Sequence, residues 1–125
     1  MSSGRDKGSP KSAQGSGVRA AGATVIDPCN VPTVGKYDAD ELTVLLYEFK
    51  AGVNAYLAER GGTVSVRTMD EVIAYNRAHA DTEMPFFGQE QMERAQTMGS
   101  LDEAAYRDAL ETCRRLSRDE GLDAI

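Results

Sequence analysis

A mainly α-helical fold, about four helices with one short strand, follows from three features of this sequence. Apolar residues recur at spacings of three and four through residues 39–60, the period of one helix face. Thr68/Glu71 and Ser100/Glu103 have the spacing of a capping box, in which each residue satisfies a free N–H at a helix start. A single β-rich run, Ala23–Asp27, is stopped by Pro28 and reads as one buried strand.

Taken in order, residues 1–17 are Gly, Ser, Lys and Pro with almost nothing apolar. Such a segment buries too little surface to offset its chain entropy, which predicts a disordered tail. The folded region is then 18–125. Gly22 can close a helix, and the strand at 23–27 follows. Its backbone N–H and C=O groups need neighbours, so the run implies a sheet that the rest of the chain does not supply. Pro32 and Gly35 mark a loop.

The first long helix is predicted over 39–60, capped by Asp38 or Asp40 and stopped at Gly61-Gly62. Leu42, Leu45, Leu46, Phe49, Val53, Tyr56 and Leu57 fall on one face and form its expected buried stripe. A second helix is predicted over 69–80, with Val72, Ile73, Tyr75 and Asn76 inward, broken before Pro85. A third runs over 88–98 and ends at Gly99. A fourth covers 101–119, with Leu101, Ala105, Leu110, Cys113 and Leu116 as a broken apolar stripe.

Length and charge narrow the class. The 125 residues suit one domain. Net charge is −6. Residues 1–17 carry Arg5, Lys7 and Lys11 against Asp6, so the acidic balance lies wholly in the rest. That argues against nucleic acid, whose binders present basic patches. No stretch is long and apolar enough for a membrane span, and the N-terminus has no apolar secretory region. Cys29 and Cys113 are far apart and read as free, reduced thiols. A cytoplasmic location is the expectation.

The chemical motifs are thin. Gly15, Gly17 and Ala20 fit G-x-G-x-x-A, but Lys, Ser, Ala and Gln precede them where a dinucleotide fingerprint needs a strand. Gly35-Lys36 is followed by Tyr37, not the Ser or Thr of a P-loop. His79, the one histidine, could serve Cys29 or Cys113 as a base; a surface or capping role is the stronger reading. One His, two distant Cys and scattered carboxylates give no metal-ligand spacing. Asp38, Asp40 and Glu41, like Asp102 and Glu103, suit the positive end of a helix dipole. Met84, Phe86 and Phe87 form an apolar loop cluster, either a substrate-pocket wall or, the favoured reading, a loop pinned to the core.

"LLYEFKAGVNAYLAE", "VRTMDEVIAYN" and "EMPFFGQEQMERA", in that order and spacing, resemble the amidase signature family of amide hydrolases. "RAAGATVIDP" just upstream is similar to that family's helix end and strand. The resemblance covers about Val18 to Ile125. It implies a piece of an α/β fold with a central mixed sheet, and amide hydrolysis by a Ser–cis-Ser–Lys triad. In such a triad Lys takes a proton from the bridging Ser, which activates the nucleophilic Ser, and backbone N–H groups hold the oxyanion.

The family's Gly/Ser-rich signature and its Lys lie upstream of the matching region. Here "MSSGRDKGSPKSAQGSG" takes that place. Its serines, with Lys7 and Lys11, do not match the signature, and Lys36 and Lys50 are not at the family's lysine position. No residue is therefore assigned as catalytic, cofactor-binding or metal-binding, and no cofactor is expected. The chain reads as a fragment of an amide hydrolase, incompetent alone. The alternative is a small helical protein-interaction module built on an amidase scaffold. Self-association through an exposed apolar face is the partner expectation, with no nucleic acid and no membrane.

Overall fold

The computed structural model describes residues 14–125. They fall into two compact units that part between Asn30 and Val31.

In the first unit, α1 (Gln14–Ala20) ends in a turn where Gly22 takes φ 91°, a conformation that only glycine adopts cheaply. The Arg19 guanidinium donates to the Val25 carbonyl at 3.2 Å. Ala23–Asp27 forms no regular element, and no strand forms among the described residues. Ile26 stays exposed. The expected strand is thus not formed, because β propensity alone supplies no pairing partner. Of the expected tail, residues 1–13 lie outside the described residues, whereas residues 14–17 are helical.

The second unit is built on α2 (Asp38–Arg60). The acidic cap expected at its start does not form. Tyr37 occupies the cap position without a side-chain bond, and Asp38, Asp40 and Glu41 fill the first turn, where their charge complements the helix dipole. Gly61, at φ 53°, ends the helix and returns its N–H to the Ala58 carbonyl. A 3-10 turn follows at Gly61–Thr63. Then come α3 (Met69–Ala78), the single turn α4 (Ala80–Glu83), α5 (Glu90–Gln96) and α6 (Ala104–Arg114). A π-type turn, Arg115–Asp119, extends α6.

The start of α3 shows the local logic. Thr68 Oγ1 accepts from the Glu71 N–H at 3.2 Å, as the capping box requires. The Glu71 carboxylate accepts from the N–H of Arg67, one residue before the cap. The Met69 N–H donates to Asn54 Oδ1 of α2 at 2.8 Å, so α2 itself satisfies a free donor of the next helix.

The second predicted capping box does not form. Ser100 Oγ accepts from Asp102 N–H at 3.1 Å. Glu103 becomes the N-cap and its carboxylate turns away to a tyrosine on α2. The fourth helix accordingly starts at Ala104 rather than 101.

The core joins α2, α3 and α5: Leu46, Met69, Ile73 and Ala95 are buried, with Leu42, Phe49, Val53, Met92 and Met98 packed around them. Met69 and Ala95 are fully shielded. Five of the seven residues of the expected α2 stripe are buried or half-buried, but Leu45 and Tyr56 remain 55% exposed. On α3, Tyr75 is exposed, not inward. On α6 the inward residue is Ala109, flanked by Tyr106, Leu110 and Cys113; Leu101 and Ala105 face water.

Candidate functional site

Three places in the molecule bring polar chemistry together. The first is the end of α3. His79 stacks on Tyr75, with ring centroids 4.2 Å apart, and its Nδ1 lies 2.9 Å from the Tyr75 carbonyl. Its backbone N–H closes the helix on Tyr75 and Asn76, while its carbonyl accepts from Glu83 at 2.9 Å to open α4. His79 is therefore a hinge and cap between two helices. The candidate thiol Cys113 sits on α6, half-buried. Burial, and then the charges of Asp40 and Glu41, push its pKa above the ordinary thiol range. A thiol held protonated is a poor nucleophile. Cys29 is exposed.

The second place is the contact of α2 with α6. Tyr47 donates its hydroxyl to Glu103 Oε2 at 2.7 Å. Tyr106 donates to Glu48 Oε1, also at 2.7 Å. The two rings lie 5.6 Å apart, tilted by 39°. Neighbouring residues of α2 thus make reciprocal phenol–carboxylate bonds to α6. Each bond raises its tyrosine's pKa, first through the hydrogen bond to the carboxylate and then through burial and the negative charge; Arg114 opposes the shift at Tyr106. On another flank of α2, the Lys50 ammonium donates to the Gln96 carbonyl at 3.1 Å and to the Met98 carbonyl. It closes the last turn of α5, where a cation meets the negative end of the helix dipole. The sequence offered no sign of these partners, which stand 46 to 58 positions apart. Periodicity reports which residues share a face, not which faces meet.

The third place is a cleft of about 330 Å³ between α2, α3, α5 and the loop before α5. Phe49, Met84, Phe87 and Met92 form its apolar wall; Asn76, Gln89, Glu83 and Glu90 its polar edge. Asn76 Nδ2 donates to Gln89 Oε1 at 3.1 Å, and Gln89 Nε2 donates to the Ile73 carbonyl at 3.1 Å. These bonds fix the amides rather than leave them free for a ligand. The loop is not pinned to the core as favoured from sequence. Phe86 is 88% exposed and Phe87 86%. Met84 and Phe87 line the cleft, and Phe86 does not.

The remaining sequence candidates serve structure or fall outside. Gly15, Gly17 and Ala20 lie inside α1, not in a phosphate-binding turn. Ser2, Ser3, Ser9, Ser12, Lys7 and Lys11 lie outside the described residues. Among the described residues, no group of three or more His, Cys, Asp or Glu is placed to hold a metal ion. No described helix is long and apolar enough to cross a membrane.

The helical arrangement around α2 is that of a segment of the amidase signature fold. The chain superposes on the peptide amidase of Stenotrophomonas maltophilia with a TM-score of 0.76 and 39% identity, covering 86% of this chain and 21% of that one. The same values hold for the peptide amidase in complex with the competitive inhibitor chymostatin. In sequence, the chain is 36% identical to an Arabidopsis thaliana protein named "Probable amidase", over 86% of this chain and 22% of that protein. It is 29% identical to a Schizosaccharomyces pombe protein that also carries an amidase name, over 72% of this chain and 17% of the other. No family model matches the sequence. The chain is therefore a partial match to the amidase signature family, and it spans about a fifth of the length of the relatives it matches.

Proposed function

We propose that this chain supplies helical scaffold to an amidase-type hydrolase and cleaves no amide by itself. The single observation that carries the reading is the 0.76 TM-score at 39% identity against about a fifth of a peptide amidase. The chemistry of the described residues agrees with it. His79 is spent on capping, Cys113 is held protonated and Lys50 is bound to two carbonyls. None of these forms a nucleophile with an oriented base, which amide cleavage requires. The whole enzyme would act on linear amides, with a cytoplasmic location.

The test is ammonia release from a panel of peptide amides and aryl amides by the purified chain. No turnover above buffer is expected. Turnover that survives changing Ser2, Ser3, Ser9, Ser12 and Ser16 to Ala, and is lost in Cys113→Ala or His79→Ala, would replace the scaffold reading with a thiol hydrolase. Turnover lost with the serines would place an active nucleophile in the N-terminal segment.

A further inference from the structure

The cleft between α2, α3, α5 and the loop before α5 has a volume of about 330 Å³, which falls in the range of small-molecule pockets. Its lining is chemically one-sided. Phe49, Phe87, Met84 and Met92 supply two aromatic rings and two thioethers. Thioether side chains are polarizable and adapt to the shape of an occupant, and the face of a ring attracts a cation lying within about 6 Å of its centre. The charged groups of the lining are Glu83 and Glu90, with no Lys, Arg or His among them. Neither carboxylate makes an ion pair among the described residues. On the flanking helices, Arg77 is held by Glu93 and Lys50 by two carbonyls. A Cβ on Gly88 would collide with the Glu90 carboxylate, so the bare backbone there lets that carboxylate fold back over the loop.

We propose that this cleft binds a small organic cation, an ammonium group carried on an aromatic or alkyl body. The body is taken up by the rings and thioethers, and the ammonium by Glu83 and Glu90. Asn76 and Gln89 are bonded to each other and to the Ile73 carbonyl; they hold the edge of the cleft in place. An anion of the same size is disfavoured, because it meets two carboxylates on a chain of net charge −6, and like charges brought together are repulsive. The proposal goes beyond the scaffold reading and does not depend on it.

The test titrates the full chain, isotopically labelled at its methionine methyls, with phenethylammonium and separately with hydrocinnamate, which carries a carboxylate in place of the ammonium. Met84 and Met92 line the cleft, whereas Met69 is sealed in the core and reports on the fold in the same spectra. Phenethylammonium should shift the Met84 and Met92 methyls saturably, with a Kd on the order of 1 mM. Hydrocinnamate should bind at least about tenfold more weakly. Glu83→Gln combined with Glu90→Gln should weaken phenethylammonium binding at least about threefold and leave the Met69 signal in place. Phe87→Leu, which keeps an apolar group but removes a ring face, should weaken it about two- to fivefold. Equal binding of the two probes, no saturable shift at Met84 and Met92, or parent affinity in either variant overturns the proposal. So does a chain whose Met69 methyl lacks the shift of a buried site, since the cleft is then not formed.

Discussion

The seam between α2 and the α3–α5 pair differs in kind from the seam between α2 and α6. The first is centred on an apolar cluster of Leu46, Met69, Ile73 and Ala95, with the hydrogen bonds of Asn54 and Lys50 at its edges. The second buries only Ala109 from α6 and is closed by the two phenol–carboxylate bonds. Apolar burial is non-directional and scales with area, so the first seam supplies stability. Hydrogen bonds are directional but modest in net worth, so the second fixes the rotation and register of α6 more than it holds α6 down. One helix thus carries a stabilising side and a registering side.

Emptying the first seam should produce the largest loss. Met69 has no exposed surface and belongs to the cluster that joins α2, α3 and α5. Met69→Ala should cost about 2–5 kcal/mol, a large share of the roughly 5–15 kcal/mol margin of a typical domain. Met69→Leu, which nearly conserves volume, should cost less than about 1.5 kcal/mol. Urea midpoints read by circular dichroism distinguish the two. A Met69→Ala protein as stable as its parent would mean that the apolar cluster does not dominate.

The second seam should reveal itself through pH. Tyr47 and Tyr106 have folded pKa values raised above the ordinary 10.0 by their carboxylate partners. Folding then favours the neutral phenol. The stabilisation is complete below the unfolded pKa and is lost as pH rises beyond it, through the folded value. Cys113, raised above 9.0 by burial, acts in the same direction from a lower pH. In a Cys113→Ala background, stability should stay level to about pH 9.5 and fall above it. Tyr47→Phe with Tyr106→Phe should remove most of that fall and leave the neutral-pH fold helical. An unchanged alkaline slope in the double variant would show that the latches carry no linkage.

The two seams were not equally legible in the sequence. The extent of α2 was plain, because a long 3.6-residue period and Gly61 bracket it, and the observed Asp38–Arg60 lies within one residue of the expectation. Ile73 was legible as core for the same reason. Met69 was missed, although it stands three and four positions before Val72 and Ile73 and so shares their face of the helix. The stripe of α6 was partly legible: Leu110, Cys113 and Leu116 are half-buried, but Ala109 was missed, and periodicity does not count the tyrosine and carboxylate groups that close this seam. Phe86 and Phe87 were misread because the burial tendency of large apolar residues does not hold for this loop, where they stand 88% and 86% exposed. For the candidate site, the sequence showed which residue types were present. The capping role of His79 was legible because its partners, Tyr75, Asn76 and Glu83, are local; Lys50 and Glu103 acquired their structural roles only through partners that helix packing brings near.

The smallest effect should come from the ion pair at the rim of the first seam. Arg77 on α3 donates through Nε and a terminal nitrogen to one oxygen of Glu93 on α5, at 3.2 and 2.8 Å. It is the one ion pair between α3 and α5 among the described residues. Its geometry is good, but the two side chains are 64% and 41% exposed. Water and salt screen such a pair, and ordering two long side chains offsets much of the attraction. Glu93 would also keep a neighbour, since Gln89 Nε2 lies 3.4 Å from the same oxygen. Arg77→Ala should therefore shift stability by less than about 1 kcal/mol, and the shift should shrink further in 1 M salt, where charges are screened beyond about 3 Å. The measurement is a urea midpoint for parent and variant at low and high salt. A loss as large as that of Met69→Ala, unaffected by salt, would mean that the α3–α5 rim holds the apolar seam closed and that the division of labour along α2 is drawn in the wrong place.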